Sequence, residues 1–405
     1  MKKNLSCLFY ILILIQLTTS CTEPYALQTN SFESLIVVEA TLTNELKTQE
    51  IKLSRTYRLE QLVPEKETGA EIYITNNNGN RYDFVETDGK YFSTTPFQAI
   101  FGVNYTLFIN TNDGNRYISN IEKLTTPNTI ESITTNVAIK EGVRGVQIAI
   151  NSRDISNSSK YYRYTYEETS KVIVPKWNAL DSFLSLTAPL IFDKYRQIDF
   201  ILKNYESKTC YSSKYSTDII LTNTLSSNED RVANFPVRFI SDKDYTIAER
   251  YSINIKQYVQ NQFSYKFYDN LKKLSSSGSL LSQFQPGSLV GNLKSIINPN
   301  EKVIGFFEVS SVSEKRIFFN FDDLFLNQIK PPFLYTCTEY IYESDDFLDA
   351  DADGDFVEGV ELRKVINAKS RLYYNSDGNI FYMVDPFCGD CRVFSSNIKP
   401  AFWID

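Results

Sequence analysis

The stretch that decides the fold class is Tyr105-Thr106-Leu107-Phe108-Ile109, which is followed by Asn112-Asp113-Gly114 and then by Tyr117. Tyr105, Leu107 and Ile109 stand at alternate positions, which is the period of a β-strand with one buried face. Asn112-Asp113-Gly114 is typical of a tight turn between two antiparallel strands, because asparagine, aspartate and glycine tolerate positive φ. The stretch therefore predicts a β-hairpin with a buried side.

Similar strand and turn signals extend in both directions from this hairpin. Strand patterns occur at Leu35–Val38, around Ile51 and Leu53, at Ala70–Ile74 and at Tyr82–Val85, with turns at Asn76–Gly79 and Asp88-Gly89. Strands at a spacing of about 8–12 residues are typical of a small sandwich. Residues 31–126 are therefore predicted to form an immunoglobulin-like or transthyretin-like β-sandwich, with a boundary at Thr125-Thr126-Pro127.

The rest of the chain, residues 127–405, predicts a larger antiparallel β domain. Its strand patterns include Tyr161–Glu167, where Tyr162, Tyr164 and Tyr166 share one face. The other strand patterns are Ile130–Ile133, Gly145–Ile150, Ile219–Leu221, Phe235–Ile240, Tyr251–Tyr258, Val303–Val309 and Arg316–Phe321. A helical insertion is predicted near residues 260–274, and its apolar stripe is Phe263, Phe267, Leu271 and Leu274. The chain as a whole is therefore expected to be mainly β.

The first twenty residues have the pattern of a lipoprotein export signal that ends before Cys21. Lys2 and Lys3 precede a short apolar run, and small residues lead into the cysteine. Residues 1–20 are expected to be removed as a signal peptide, Cys21 is expected to carry acyl chains that bind a lipid bilayer, and residues 21–30 are expected to form a polar tether. The alternative is an ordinary cleaved secretory signal with an incidental Cys21, because Thr18 occupies a position that is usually aliphatic in lipoproteins.

Composition excludes several functional classes. The chain has no histidine, so mechanisms that need a serine–histidine pair or histidine-bound zinc are excluded. It also lacks phosphate-binding and dinucleotide-binding glycine motifs, and we therefore predict that it is not an enzyme. The chain has 42 basic and 49 acidic residues and a pI near 5.1, so it has no excess of positive charge to attract the phosphates of nucleic acid. Nucleic acid is therefore not expected to be a partner.

Four cysteines remain after the signal peptide and Cys21 are set aside: Cys210, Cys337, Cys388 and Cys391. An even number of cysteines in an exported protein predicts two disulfide bonds, but three pairings are open. The alternatives are a thioredoxin-like redox pair formed by Cys388 and Cys391, and a structural zinc site.

An aspartate-rich segment at residues 349–355 has the alternation of a calcium-binding loop. Carboxylates at alternate positions followed by a glycine suit a hard cation with oxygen ligands. The EF-hand position for a bidentate glutamate holds Val360, so the full motif is broken. The alternatives are a structural Ca²⁺ site, which would be the one cofactor, and a solvated acidic loop. The candidate ligands are Asp349, Asp351, Asp353, Asp355, Glu358 and Glu361.

The two tryptophans are interpreted differently. Trp177 follows Val174-Pro175 in a predicted loop and is the candidate ligand-binding aromatic, because an exposed indole face stacks on sugars or peptides. Its alternative role is packing inside or between domains. Trp403 is expected to pack the last residues of the sequence against the fold.

Four segments together resemble an uncharacterised family of surface lipoproteins, domain of unknown function 4249. They are Leu35–Glu39 with Leu53–Thr56; Tyr161–Tyr164; Gly278–Leu281 with Pro286, Gly291-Asn292, Ile304–Phe307 and Ser310-Ser311; and Cys388–Arg392 with Lys399-Pro400 and Phe402-Trp403. The resemblance implies an outer-membrane lipoprotein on the cell surface, often encoded beside a SusC-like TonB-dependent transporter, with no established catalytic residues.

The sequence and this resemblance lead to one functional expectation and two alternatives. We expect a lipid-anchored outer-membrane protein that acts as a non-catalytic accessory or ligand-binding partner of a SusC-like TonB-dependent β-barrel. The first alternative is a surface hydrolase that uses two carboxylates in one cleft. The second is an adhesion or envelope-assembly module that is stiffened by calcium.

Overall fold

The computed structural model describes residues 34–57, 64–185, 197–276, 289, 291–343 and 360–405. These residues form a mainly β protein with several sheets and few helices, as the sequence predicts. The leader, Cys21 and the tether lie outside the described residues. No helix in the described part of the chain is long and apolar enough to cross a membrane.

The first part of the chain contains eight strands. They are β1 (Ile36–Thr43), β2 (Glu50–Arg55), β3 (Glu71–Asn76), β4 (Arg81–Thr87), β5 (Lys90–Ser93), β6 (Asn104–Asn110), β7 (Arg116–Ser119) and β8 (Glu122–Lys123). In β6 the alternating residues Tyr105, Leu107 and Ile109 are fully buried, and Tyr117 of β7 joins them in the same core. The predicted hairpin is confirmed, since β6 and β7 pair antiparallel.

The middle of the chain contains nine more strands and the main helix. They are β9 (Ile130–Lys140), β10 (Val143–Arg153), β11 (Tyr161–Ile173), β12 (Leu180–Ser185), β13 (Gln197–Leu202), β14 (Thr209–Tyr215), β15 (Ile220–Asn223), β16 (Arg231–Ser241), β17 (Arg250–Gln260) and α1 (Gln262–Ser276). A short 3₁₀ helix covers Tyr245–Ile247.

The final part of the described chain alternates strands with short helices. They are β18 (Leu293–Ser295), β19 (Ile304–Asn320), α2 (Phe321–Leu324), β20 (Glu339–Glu343), α3 (Val360–Asn367), β21 (Leu372–Asp377), β22 (Ile380–Val384) and α4 (Pro386–Gly389). A second 3₁₀ helix covers Cys391–Val393.

The longest strand, β19, connects the two halves of the main sheet. Its first half pairs in parallel with β1, from Val37 opposite Ile304 to Thr43 opposite Ser310. Its second half pairs antiparallel with β17, from Val259 opposite Ser311 to Arg250 opposite Asn320. The result is a 14-stranded sheet whose main path runs β14-β11-β17-β19-β1-β2-β5-β4-β3-β6-β7-β18, with β15 on β11 and β8 on β6.

The first core is built from two separate parts of the sequence. The chain leaves this core between β8 and β9, which is where the sequence places the boundary at Thr125–Pro127. However, Leu293, Val303, Phe307 and Val309 also pack in the core. Residues 31–126 therefore do not close it alone, and the strands β18 and β19 return to complete it.

The second core lies between two facing sheets. One contains β11, β17 and the second half of β19, and the other has the order β16-β10-β9. Tyr162, Tyr164 and Tyr166 of β11 point into this core together, as their alternation predicts, and they meet Ile148 and Ile150 of β10. A third, smaller core surrounds Leu362 of α3 and Met383 of β22, and the β12–β13 hairpin packs against it.

Helix α1 confirms the predicted helical insertion, but one residue of the predicted stripe is wrong. Phe263 is 73% exposed, because it lies in the first turn of the helix, outside the packed face. The packed face consists of Phe267 and Tyr268, with Leu271 and Leu274 further along the helix, and it lies against Phe306 of β19.

An ion-pair cluster joins the loop after β1 to β17. Lys256 Nζ lies 2.7 Å from Glu45 Oε1, and Lys47 also contacts the Glu45 carboxylate. Burial alone would raise the pKa of Glu45, but the hydrogen bonds and charges of the two lysines outweigh it and lower the pKa from 4.5 to about 2. The charged form of Glu45 therefore stabilises the contact between the two halves.

We expect this cluster to make stability depend on pH in the acid range. Since the pKa of Glu45 is lower in the folded state than in the unfolded state, its contribution is complete above about pH 4.5 and is lost as the pH falls towards 2. Glu45→Gln should therefore lower the free energy of unfolding by about 1–2 kcal/mol at pH 7 and by much less near pH 2, because the pair is only half-buried.

Denaturant unfolding across this pH range measures the effect. The matched control is Glu39→Gln, since Glu39 is exposed and lies 3.8 Å from Lys52, and it should change stability by less than about 0.5 kcal/mol. A Glu45→Gln penalty that is the same at pH 2 and pH 7 would show that this carboxylate does not carry the effect.

Candidate functional site

The candidate aromatic Trp177 lies just after β11, beside the Cys210–Cys391 disulfide bond. Its ring is half-buried against Val172 and Val174, and its Nε1 donates a hydrogen bond of 2.9 Å to Ser207 Oγ. The Nζ atoms of Lys203 and Lys208 lie 5.8 and 5.6 Å from the ring centroid. The indole is thus held in place by packing and by cations, and its role in ligand binding stays a prediction.

The four cysteines form two disulfide bonds, which confirms the number predicted. Cys210 pairs with Cys391, 181 residues away, and Cys337 pairs with Cys388, 51 residues away. Cys388 and Cys391 are therefore bonded to different partners, so the redox-pair and zinc alternatives are wrong. The two bonds attach the last part of the chain to β14 and to the segment before β20.

Most of the predicted calcium ligands lie outside the described residues, namely Asp349, Asp351, Asp353, Asp355 and Glu358. Glu361 is described: it is exposed in the first turn of α3, and its carboxylate lies 2.8 Å from Lys364 of the same helix. In the described ranges, no group of three or more cysteine or acidic side chains is arranged to hold a metal ion. Calcium binding stays a prediction.

Trp403 is buried, as expected for a residue that packs the last residues against the fold. Its ring meets the rings of Tyr211 and Phe318 at centroid distances of 4.9 and 5.7 Å. Next to it, Phe402 lies under the guanidinium of Arg316, 3.5 Å from the ring centroid. Asp405, two residues after Trp403, lines a surface cleft.

This cleft has a volume of about 250 Å³ and is lined by charges of both signs. Four of its charged groups are already engaged: Lys330 Nζ lies 3.0 Å from Glu249 Oε2, Arg250 donates to Asn320 Oδ1 at 3.1 Å, and Asp405 pairs with Lys399. Within the described residues no ion pair engages Lys171 or Asp322. Such a cleft suits a small ligand with both a carboxylate and an ammonium group, since its volume is below the roughly 300–1,000 Å³ of sites for larger ligands.

A second concentration of charge lies buried where β11, β17 and β19 meet. Arg163 donates to Glu308 Oε2 at 2.9 Å, and its guanidinium lies between the rings of Tyr258 and Tyr268, 4.3 and 4.5 Å from their centroids. Burial lowers the pKa of Arg163, but the charge of Glu308 outweighs it and the pKa is raised. Gln260 Nε2 also donates to Glu308, at 3.1 Å. This pair is too enclosed to meet a substrate, and its role is to hold α1 on the sheet.

A second buried carboxylate, Glu122 of β8, lies near this pair. Asn261 Nδ2 and Asn292 Nδ2 donate to its two oxygens at 2.7 and 2.9 Å. Burial raises the pKa of Glu122, and the charge of Glu308 acts in the same direction. Asn292 also exchanges hydrogen bonds with the backbone of Phe307, at 2.8 and 2.9 Å. These contacts tie β8, α1 and β19 together.

Two glycines allow the backbone to pass closely at this junction. A Cβ at Gly291 would lie 1.5 Å from the carbonyl oxygen of Gly305, and a Cβ at Gly305 would lie 2.1 Å from the carbonyl oxygen of Val38. Gly305 also has a φ of +135°, which favours glycine. Gly291-Asn292 and Ile304–Phe307, which carry part of the family resemblance, are therefore residues that build the junction between the two halves.

The fold and these features define a class: a mainly β protein with two packed β cores, a buried polar junction and two long-range disulfide bonds. The family described as Domain of unknown function (DUF4249) matches residues 22–316, and the chain belongs to that family. The match ends within β19, so the disulfide partners Cys337, Cys388 and Cys391 lie beyond it. No curated protein matches the chain.

The sequence analysis did not predict the Arg163–Glu308 ion pair or the charged cleft. The pair had a signal, because Arg163 interrupts a run of tyrosines and Glu308 interrupts the apolar run Ile304–Val309. A single charge within a buried strand indicates a buried partner of opposite sign. The cleft had no local signal, since its charged groups come from β11, the start of β17, α2 with the segment after it, and Asp405.

Proposed function

We propose that the chain is a lipid-anchored, non-catalytic outer-membrane protein that helps a SusC-like TonB-dependent transporter to capture ligand. The observation that carries this proposal is the pair of disulfide bonds, because such bonds form and persist outside the reducing cytosol. The leader that ends before Cys21 supports the same compartment. The partnership with a transporter rests on the resemblance to surface lipoproteins.

The anchor would keep the folded part close to the membrane. The first strand begins at Ile36, so the segment from Cys21 can span at most about 50 Å when fully extended. Two or three acyl chains on Cys21 would each contribute about 0.8 kcal/mol per buried methylene, which is sufficient for stable attachment.

Ligand capture would use a preformed surface rather than a reacting group. The cleft that Asp405 lines offers two charged groups, Lys171 of β11 and Asp322 of α2, that no ion pair engages within the described residues. Trp177, which is half-buried beside the Cys210–Cys391 disulfide bond, offers part of an aromatic face. Neither the cleft nor Trp177 would need to react with the ligand, which is consistent with a protein that captures a ligand and passes it to a transporter.

Affinity purification of the native lipidated protein from membranes tests the partnership. A β-barrel transporter should co-purify in a fixed ratio, and the Cys21→Ser variant, which cannot be acylated there, should lose both membrane attachment and the barrel. If the lipidated protein is obtained alone under conditions that preserve other outer-membrane complexes, the proposed partnership is wrong.

We also propose that the segment of residues 349–361 binds calcium as a structural ion. Titration of the mature protein with Ca²⁺ should release heat, and free Ca²⁺ at about 100 times the dissociation constant should add about 2.7 kcal/mol to the free energy of unfolding. The double variant Asp351→Asn, Asp353→Asn should lose the effect, because it removes two of the alternating carboxylates. Equal melting temperatures with Ca²⁺ and with a chelator would contradict this proposal.

A further inference from the structure

Strand β9 is an open edge with unusual composition. It is the last strand in the order β16-β10-β9, so one side of its backbone has no strand partner within the described residues. Between Glu131 and Lys140 it carries eight uncharged residues, Ser-Ile-Thr-Thr-Asn-Val-Ala-Ile, with no proline. Edge strands of monomeric proteins are usually protected against pairing by charges, proline, bulges or coverage. The body of β9 has none of these devices.

The other long edges in the described part of the chain do carry such protection. Strand β16 has Pro236 in its middle and irregular register against β10. Strand β14 is covered at Tyr211, which exchanges backbone hydrogen bonds with Ser396. The second half of β19 carries three consecutive charges, Glu314–Arg316. Compared with these edges, β9 is the strand whose middle residues remain available for pairing with another strand.

The side chains of β9 extend an apolar face beyond the core. Ile133, Thr135, Val137 and Ile139 lie on one face of the strand, and Ile133 packs at the margin of the second core. Further along, Val137 is 45% exposed and Ile139 is 74% exposed. An open backbone edge beside an exposed apolar row is complementary to another extended strand, because only a strand satisfies both the hydrogen-bonding groups and the side chains.

We propose that β9 pairs with β9 of a second copy of this chain, antiparallel and centred on Asn136, to form a two-fold symmetric dimer. In this register Ile139 of each copy lies opposite Ile133 of the other, and Val137 lies opposite Thr135, so apolar residues face one another. On the other face, Lys140 lies opposite Ser132.

The matching of apolar side chains favours this register over its neighbours. A slip of two residues in one direction places Glu131 opposite Ile139, and a slip in the other direction places Glu141 opposite Ile133. In the centred register, Glu131 and Glu141 meet beyond the paired segment, where Lys315 supplies a compensating charge. Its Nζ already donates to the carbonyl oxygen of Glu131 at 2.7 Å.

Light scattering and crosslinking of the mature protein test the proposal. The protein should have twice the monomer mass, and Val137→Lys, which places a charge in the apolar row, should weaken dimerisation at least tenfold. Val137 is already half-exposed, so the variant should remain folded as a monomer with an unchanged circular dichroism spectrum, and this separates loss of pairing from loss of folding.

Single cysteines test the register. Asn136→Cys places the two new thiols directly opposite each other, about 5 Å apart between Cα atoms, so a short bis-maleimide should link them. Ile139→Cys is the matched control, because its two copies would lie about 20 Å apart along the strands and should not be linked. A monomer at every concentration, a dimer that survives Val137→Lys, or equal linking of both cysteines would overturn the proposal.

Discussion

Replacing Arg163 with methionine should lower the free energy of unfolding by about 3–5 kcal/mol, the cost of leaving one buried charge without its partner. Glu308 is almost completely buried, and Arg163 supplies the cation that faces it, 2.9 Å away. Methionine fills much of the space between Tyr258 and Tyr268 but supplies no charge. Chemical denaturation at pH 7 measures the loss.

A double variant distinguishes the charge from the packing. In Arg163→Met with Glu308→Leu both charges are removed, and we expect it to regain much of the stability that the single variant loses, because well-packed apolar residues can replace a buried ion pair at little cost. Arg163→Lys should lie between the two, since lysine keeps the charge but not the planar stacking on the two tyrosine rings. If the double variant is less stable than Arg163→Met, the explanation based on an unpaired charge is wrong.

Removing the Cys210–Cys391 disulfide bond with the double variant Cys210→Ala, Cys391→Ala should destabilise the protein by about 4–5 kcal/mol. The bond closes a loop of 181 residues, and in the chain-entropy description the stabilisation grows with the logarithm of loop length. Both sulfur atoms are fully buried beside Val172 and Val174, so the alanines also leave a small cavity.

The other disulfide bond is the matched comparison. Cys337 and Cys388 close a loop of 51 residues, for which the same description gives about 4 kcal/mol. Cys388 is fully buried but Cys337 is only half-buried, whereas Cys210 and Cys391 are both fully buried, so we expect the Cys337→Ala, Cys388→Ala variant to lose less packing and to be the more stable of the two. Thermal unfolding of both variants in parallel provides the test, and the opposite order would contradict the assignment of the larger constraint to Cys210–Cys391.

The sequence was most informative where the signal is local. Alternation placed Tyr105, Leu107 and Ile109 on one buried face, and it did the same for Tyr162 and Tyr164, because the period of two is imposed by the pleat of a single strand. The helical spacing of the apolar residues near 260–274 was equally clear. The prediction failed at Phe263 because this residue lies in the first turn, outside the face that packs against Phe306.

The features that could not be predicted join residues far apart in the chain. The parallel pairing of β1 with β19 leaves no local pattern, and the charges Glu314–Arg316 made one long strand look like two shorter ones. The choice among three disulfide pairings also depends on which chain segments meet in space. The charged cleft collects its side chains from distant elements for the same reason.

The proposed function depends on whether Cys21 becomes the first residue of the mature protein and carries lipid. Mass spectrometry of the amino-terminal peptide of the protein isolated from its native membrane addresses this most directly. We predict a peptide that begins at Cys21 and carries acyl chains, with residues 1–20 absent. A peptide that begins at Met1, or a Cys21 that carries no lipid, would contradict the membrane anchor and the proposed partnership with a transporter.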